Sequence, residues 1–177
     1  MARISNTSAY PNIGNPVASD YLILTDKSDN LVTKTATLGD VQKLFGLDTL
    51  VAHVTVNSAS LLTLGTTSVT LISAPGAGKV IDMISIAAFS DFNTVAYDFG
   101  NNLEVKIGSV VFGSLTATET NTGSDVVCKM DGAGAGAAKI IASNTAVTLE
   151  TASNPTQGSG TMYFNIFYRV LNVDSSF

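Results

Sequence analysis

The chain has little of what chemistry usually requires. It contains one histidine, one cysteine and no tryptophan in 177 residues. The single Cys128 excludes an internal disulfide framework and a thiolate metal cluster. His53 stands alone, and an imidazole in a triad or zinc site needs a nucleophile beside it or further ligands. Charged residues make up 13% of the chain, against roughly 25% in an ordinary soluble domain. The net charge is −5, and no Lys/Arg cluster supplies the basic stripe that neutralises nucleic-acid phosphates. Direct nucleic-acid binding is therefore not expected. No apolar run approaches the ~18 residues needed to cross a bilayer, so no membrane association is expected either. The first thirty residues lack the apolar core of a secretory signal, and the chain is expected to be made in a cytoplasm and to stay soluble.

What is present is a core and a neutral surface. Hydrophobic residues account for 45%, enough for real burial, and the length suits one domain with an appendage. Ser, Thr and Asn together number 52, more than twice the 23 charged residues, so short neutral groups must cover most of the surface. Such side chains lose little entropy when immobilised. That composition fits a subunit buried against other subunits and fits a stable secreted β domain equally well.

Residues 1–48 read as an arm. Pro11 and Pro16 exclude helix from the first segment. Tyr21–Thr25 and Leu31–Thr35 are β-prone runs around Asp26–Asn30, the pattern of a hairpin with a five-residue loop. Thr37 can cap a short helix that carries Leu38, Val41, Leu44 and Phe45 on one face and stops at Gly46. A hairpin and a two-turn helix bury too little to stand alone, so the arm is expected to dock on the body or on a neighbour.

Residues 49–177 read as an all-β body. Alternating apolar and polar residues mark half-exposed antiparallel strands at Leu50–Val56, Val95–Phe99, Leu103–Ile107 and Val147–Thr151. With Val69–Ile72, Val110–Leu115, Val80–Phe89 and Met162–Leu171 the count is about eight, with no credible helix. Gly/Pro/Asn-rich breaks separate the strands, which fits a jelly-roll-like antiparallel β-sandwich. Val80–Phe89 and Met162–Leu171 carry large apolar residues on both faces, so cover on both sides is expected, the second from another subunit, from the arm or from a loop. Thr116–Ala138, with Gly132–Gly136 inside it, reads as a long loop at one end.

No motif for cofactor or metal survives inspection, and none is expected to bind. Ala74–Lys79 resembles a phosphate loop only superficially, with Ser73 and Val80 where glycine and Ser/Thr belong. Asp26–Asn30 is rich in oxygen ligands, but Leu31 and Thr37 replace the glycine and glutamate of a calcium loop. Gly132–Gly136 lacks the βαβ unit of a dinucleotide site. Cys128, beside Val126 and Val127, reads as a buried thiol. Tyr97, Tyr163 and Tyr168 could offer a sugar platform, but core packing accounts for them better. These absences describe a chain that is not an enzyme.

Within the arm, Asn15–Asp26 followed by Thr33–Val41 resembles a short N-terminal module of tailed-phage virion proteins, in which a Thr-Lys strand closes onto a capped helix. The resemblance covers about 45 residues. The body is similar in length, in its Thr/Gly-rich loops and in its last strand, Met162–Val170, to phage capsid decoration and cement domains. The resemblance implies a homotrimer on the capsid surface of a virion, bound to the major capsid protein of the same particle. It implies attachment through Ile4, Tyr10, Ile13, Tyr21, Leu24, Leu38, Val41, Leu44 and Phe45. Because both head and tail appendages carry such a module, a tail or fibre protein is the alternative.

Overall fold

A computed structural model describes residues 17, 19–26, 32–44, 49–131 and 141–173. The chain divides into two compact units, residues 1–48 and residues 49–177.

In the first unit, β1 (Tyr21–Asp26) pairs antiparallel with β2 (Val32–Thr37), with Tyr21 opposite Thr37 and Asp26 opposite Val32. α1 (Leu38–Leu44) follows without a break. Thr37 accepts a 3.1 Å bond from the Asp40 N–H through its hydroxyl and donates 2.6 Å to the Asp40 carboxylate, so the expected cap is present. The Leu38 N–H bonds to the Asp20 carbonyl at 2.7 Å and closes the hairpin base. The second strand ends later than the periodicity suggested, because Ala36 and Thr37 continue the ladder instead of turning.

The body contains β3 (Leu50–Val56), β4 (Val69–Ile72), β5 (Lys79–Phe92), β6 (Leu103–Ile107), β7 (Val110–Leu115), β8 (Val126–Asp131), β9 (Val147–Thr151) and β10 (Gly160–Asn172). They form two four-stranded sheets, ordered β3-β10-β5-β8 and β4-β9-β6-β7. The first strand pairs with the eighth, the second with the seventh, the third with the sixth and the fourth with the fifth. Such nested antiparallel pairing is a hairpin ribbon rolled over on itself, the order of a jelly roll. The fold class is therefore all-β, as the alternation indicated.

Three sequence expectations are corrected. Val95–Phe99 is not a strand: Tyr97 and Phe99 are buried at 5% and 2% exposure, but the segment runs as a loop outside both ladders. Thr116–Ala138 is not one loop, since it holds the one-turn α3 (Ala117–Thr120) and the edge strand β8. Thr116 and Glu119 form a capping box there, with Glu119 accepting from the Thr116 N–H at 2.7 Å. The body is also not helix-free, because α2 (Ser58–Leu61), capped by Asn57, joins β3 to β4. Gly132–Gly136 lies outside the described residues.

The core lies between the sheets. Phe164, Ile86, Leu103, Val105, Leu149 and Ile166 are fully enclosed, and each such side chain contributes about 1.5–3 kcal/mol on burial. A β-bulge shapes β5: Phe167 faces Ser85 while Tyr168 faces Met83, leaving Ile84 as the extra residue. The bulge shifts the phase of the strand, so Ile81, Met83, Ile86 and Ala88 all point inward. This explains part of the apparent two-faced pattern of that run.

One end of the sandwich is sewn together by short polar side chains. The Asp98 carboxylate accepts from the Thr156 N–H at 2.7 Å, the Gln157 N–H at 3.1 Å and the Thr156 hydroxyl. Ser159 Oγ accepts from the Thr94 and Val95 N–H groups at 3.0 and 2.9 Å. Asn121 bonds both the N–H and the C=O of Phe99, replacing the ladder that this loop lacks. Gly158 lies flat on Tyr97, where an added Cβ would sit 2.0 Å from the ring, and Gly65 abuts the backbone of Ser153 and Asn154 as closely. Much of the Ser, Thr and Asn content is thus spent tying loops to backbone.

Candidate interaction surface

Because side chains alternate along a strand, the face of the β3-β10-β5-β8 sheet turned from the core carries a defined set of residues. Across the register, Val51, Phe167 and Ser85 form one row, His53, Asn165, Ala87 and Lys129 the next, and Thr55, Tyr163, Phe89 and Val127 a third. Val51, Ile84, Tyr163 and Phe167 are 38–44% exposed and Val127 is 73% exposed. Tyr163 stacks on Phe89 with ring centres 5.9 Å apart, so it is a surface residue and not the core residue expected from its place in the strand. Tyr97 is in the core, and Tyr168 is half-buried on the inner side, so the three tyrosines form no common platform.

Two polar pairs on this face satisfy each other. His53 Nδ1 lies 2.6 Å from Asn165 Oδ1 in the adjacent strand. Arg169 Nε donates to Asp82 at 3.1 Å, and the guanidinium makes a second contact with the same carboxylate oxygen.

The outward face of the other sheet is different in kind. Lys106 lies 3.0 Å from Glu104 and 3.3 Å from Glu150, and Thr148 donates to Glu150 at 2.9 Å. The hydrogen bond to Glu104, with Glu150 adding, holds the Lys106 ammonium above the ordinary lysine range. Beside this cluster are two open polar depressions. One of about 340 Å³ is lined by Asn101, Asn102, Glu104 and Lys106, and one of about 240 Å³ by Thr66, Ser68 and Glu150. Among the described residues no group of three or more His, Cys, Asp or Glu side chains could hold a metal ion. Cys128 is half-buried on the inner side of β8, where burial, aided by the charge of Glu119, pushes its thiol up and away from reactivity. No helix among the described residues is long and apolar enough to cross a membrane.

The arm shows its apolar groups openly. Tyr21 is 70% exposed and Ile23 77%, while Val17 and Leu22 are exposed as well. Leu38 and Val41 are half-buried on α1, and no described side chain of this unit is fully buried. Leu24 and Leu44 are placed in β1 and α1 by their backbone. Ile4, Tyr10, Ile13 and Phe45 lie outside the described residues. Sequence reasoning thus placed attachment in the arm and left out the body face of Val51, Ile84, Val127 and Phe167. The signal for it was the apolar character of both parities in Met162–Leu171.

No protein-family model matches the chain. No curated protein matches it either. Among solved structures, the chain is similar to one in "Cyanophage Pam1 capsid asymmetric unit", at 18% identity, over 68% of this chain and 84% of that one, with a TM-score of 0.48.

Proposed function

We propose that the chain is a structural subunit of a tailed-phage particle, a decoration or cement protein seated on the head as a trimer. Residues 1–48 attach it to the major capsid protein, and the jelly roll forms the projecting body. The observation that carries this reading is the contrast between the two units. The body encloses its own core, whereas the arm exposes Tyr21, Leu22 and Ile23 and fully buries none of its described side chains. Three neighbouring large apolar residues left open on a hairpin are the signature of a surface awaiting a partner. The likeness of Asn15–Val41 to the virion-protein module supports the choice of partner. Tyr21, Leu38 and Val41, together with Ile4, Tyr10, Ile13, Leu24, Leu44 and Phe45, are the proposed contacts.

The test is deletion of residues 1–48. The remaining body should fold, with unchanged β-sheet circular dichroism, and should no longer sediment with purified heads lacking the protein. Sedimentation of the truncated body with heads at wild-type stoichiometry would refute the attachment role. Sedimentation of the full chain with isolated tails and not with heads would replace decoration by a tail role. If the bound protein acts as cement, decorated heads should also release DNA at a higher temperature than bare ones.

A further inference from the structure

We infer that three copies of the chain close around an axis lined by the outward face of the β3-β10-β5-β8 sheet, which is therefore the contact between subunits. The inference rests on the trimer proposed above and names the surface that forms it.

Chemistry selects this face over the other. A surface enters a protein interface cheaply when its polar groups already have partners, because few hydrogen bonds to water must then be replaced. His53 with Asn165 and Asp82 with Arg169 meet that condition inside the face. Its charges stand at the margins, with Lys129 on the edge strand and Asp91 and the Asp82–Arg169 pair toward the ends. Its middle is Phe89, Tyr163, Phe167 and Ala87. The opposite sheet turns Glu104, Lys106 and Glu150 outward, and burying that cluster would strip water from three charges. A face with an apolar middle and charges at its margins is matched by another of the same kind, which identical copies provide.

Dimensions accommodate a three-fold arrangement. Four strands ~4.8 Å apart make a face ~19 Å wide, and the thirteen residues of β10 run for ~43 Å. With the shorter edge strands the plan area is on the order of 600 Å², close to the ~800 Å² per partner of a standard interface. Three such faces forming a triangular prism leave an inscribed radius of ~5.5 Å, and packed sheets place each backbone layer ~5 Å from the shared midplane. Side chains of Tyr163 and Phe167 size therefore fill the axis without a channel. Four copies would leave a radius of ~9.5 Å, too wide for those side chains to meet. In the prism, the β3 edge of one copy adjoins the β8 edge of the next, so Val51 and Val127 stand along the seams.

The test is native mass measurement of the full chain and three variants. Wild type should give three times 18.3 kDa. Phe167→Asp and Val127→Asp should each reduce the mass threefold, while Thr70→Asp, on the exposed side of the other sheet, leaves it unchanged. Val127 is 73% exposed, so its substitution leaves the fold intact and keeps the test decisive should Phe167→Asp misfold. A wild-type trimer that survives both face substitutions overturns the inference alone. A monomeric wild type overturns the trimer as well. A dimer broken by the same substitutions overturns the three-fold arrangement.

Discussion

Replacing Tyr97 by phenylalanine removes one oxygen atom from the loop that ties the two sheets together, and the consequence should reverse sign with pH. The Tyr97 hydroxyl donates to the Gly160 carbonyl at 3.1 Å, its ring stacks on Phe99 at 5.2 Å, and burial pushes its ionisation up to about 12. At neutral pH the variant loses one partly buried hydrogen bond and leaves a carbonyl short of a donor, a cost of about 1 kcal/mol. Above pH 10 the balance shifts. In the unfolded chain the phenol ionises near 10, whereas in the folded state it resists until about 12, so each rise in pH favours unfolding. The stability tied to this group is fully present below pH 10 and is lost as pH rises toward 12. By pH 11 the loss is on the order of 1 kcal/mol. Phenylalanine has no proton to lose. Urea denaturation of both proteins, followed by circular dichroism at pH 8, 9, 10 and 11, should show the wild type ahead at pH 8 and level with or behind the variant at pH 11. A difference that stays constant across this range would mean that the phenol is not desolvated, and the account of the loop would be wrong.

Three further outcomes follow from the same architecture. Phe164→Ala empties a fully enclosed site at the centre of the sheet and should lower unfolding free energy by about 3–5 kcal/mol in urea titration. Gly158→Ala places a methyl group inside the Tyr97 ring at a φ of +146°, and a loss of about 2 kcal/mol or more is expected in thermal melts, of which a Tyr97→Ala background should recover the part due to the ring and not the part due to the backbone. Hydrogen bonds from the Thr156 hydroxyl and the Gln157 N–H hold the Asp98 carboxyl below the usual range. Its contribution is therefore present above the unfolded carboxylate range and fades as pH falls through the folded value. Asp98→Asn should flatten the acid limb of the melting-temperature profile, and an unchanged limb would remove Asp98 from the explanation.

Apolar runs bounded by turn residues located seven of the eight body strands, and period-two alternation was clearest at Leu103–Ile107 and Val147–Thr151, which each bury one side and wet the other. It failed at Val95–Phe99, where burial alternates without a ladder. There Asn121 and Ser159, distant in sequence, supply the hydrogen bonds that a neighbouring strand would, and no local pattern reports such partners. It also missed β8, where Val127, 73% exposed, stands between Val126 and Cys128 and hides the alternation behind three apolar residues in a row. The bulge at Ile84 was hidden for a related reason: a one-residue phase shift looks like a strand apolar on both sides. The proposed attachment residues were legible only as apolar positions on a unit too small to bury them. The body face appeared only once the register had set Phe167 beside Val51 and Tyr163 beside Phe89.

The nested pairing of the strands has a consequence in time. His53 and Asn165, 112 residues apart, sit side by side because β10 closes the ladder that β3 opened. β10 lies between β3 and β5, so the sheet has a gap at its centre until residues 160–172 leave the ribosome. Translation at ~5–20 residues per second makes that wait several seconds, during which β3 and β5 each offer an unpaired edge. The high sequence separation of these contacts also makes closure slow once the chain is complete. A nascent body is therefore a sticky object until β10 fills the sheet. In the proposed trimer, the order of synthesis would keep incomplete chains out, because the contact face forms only when β10 is in place.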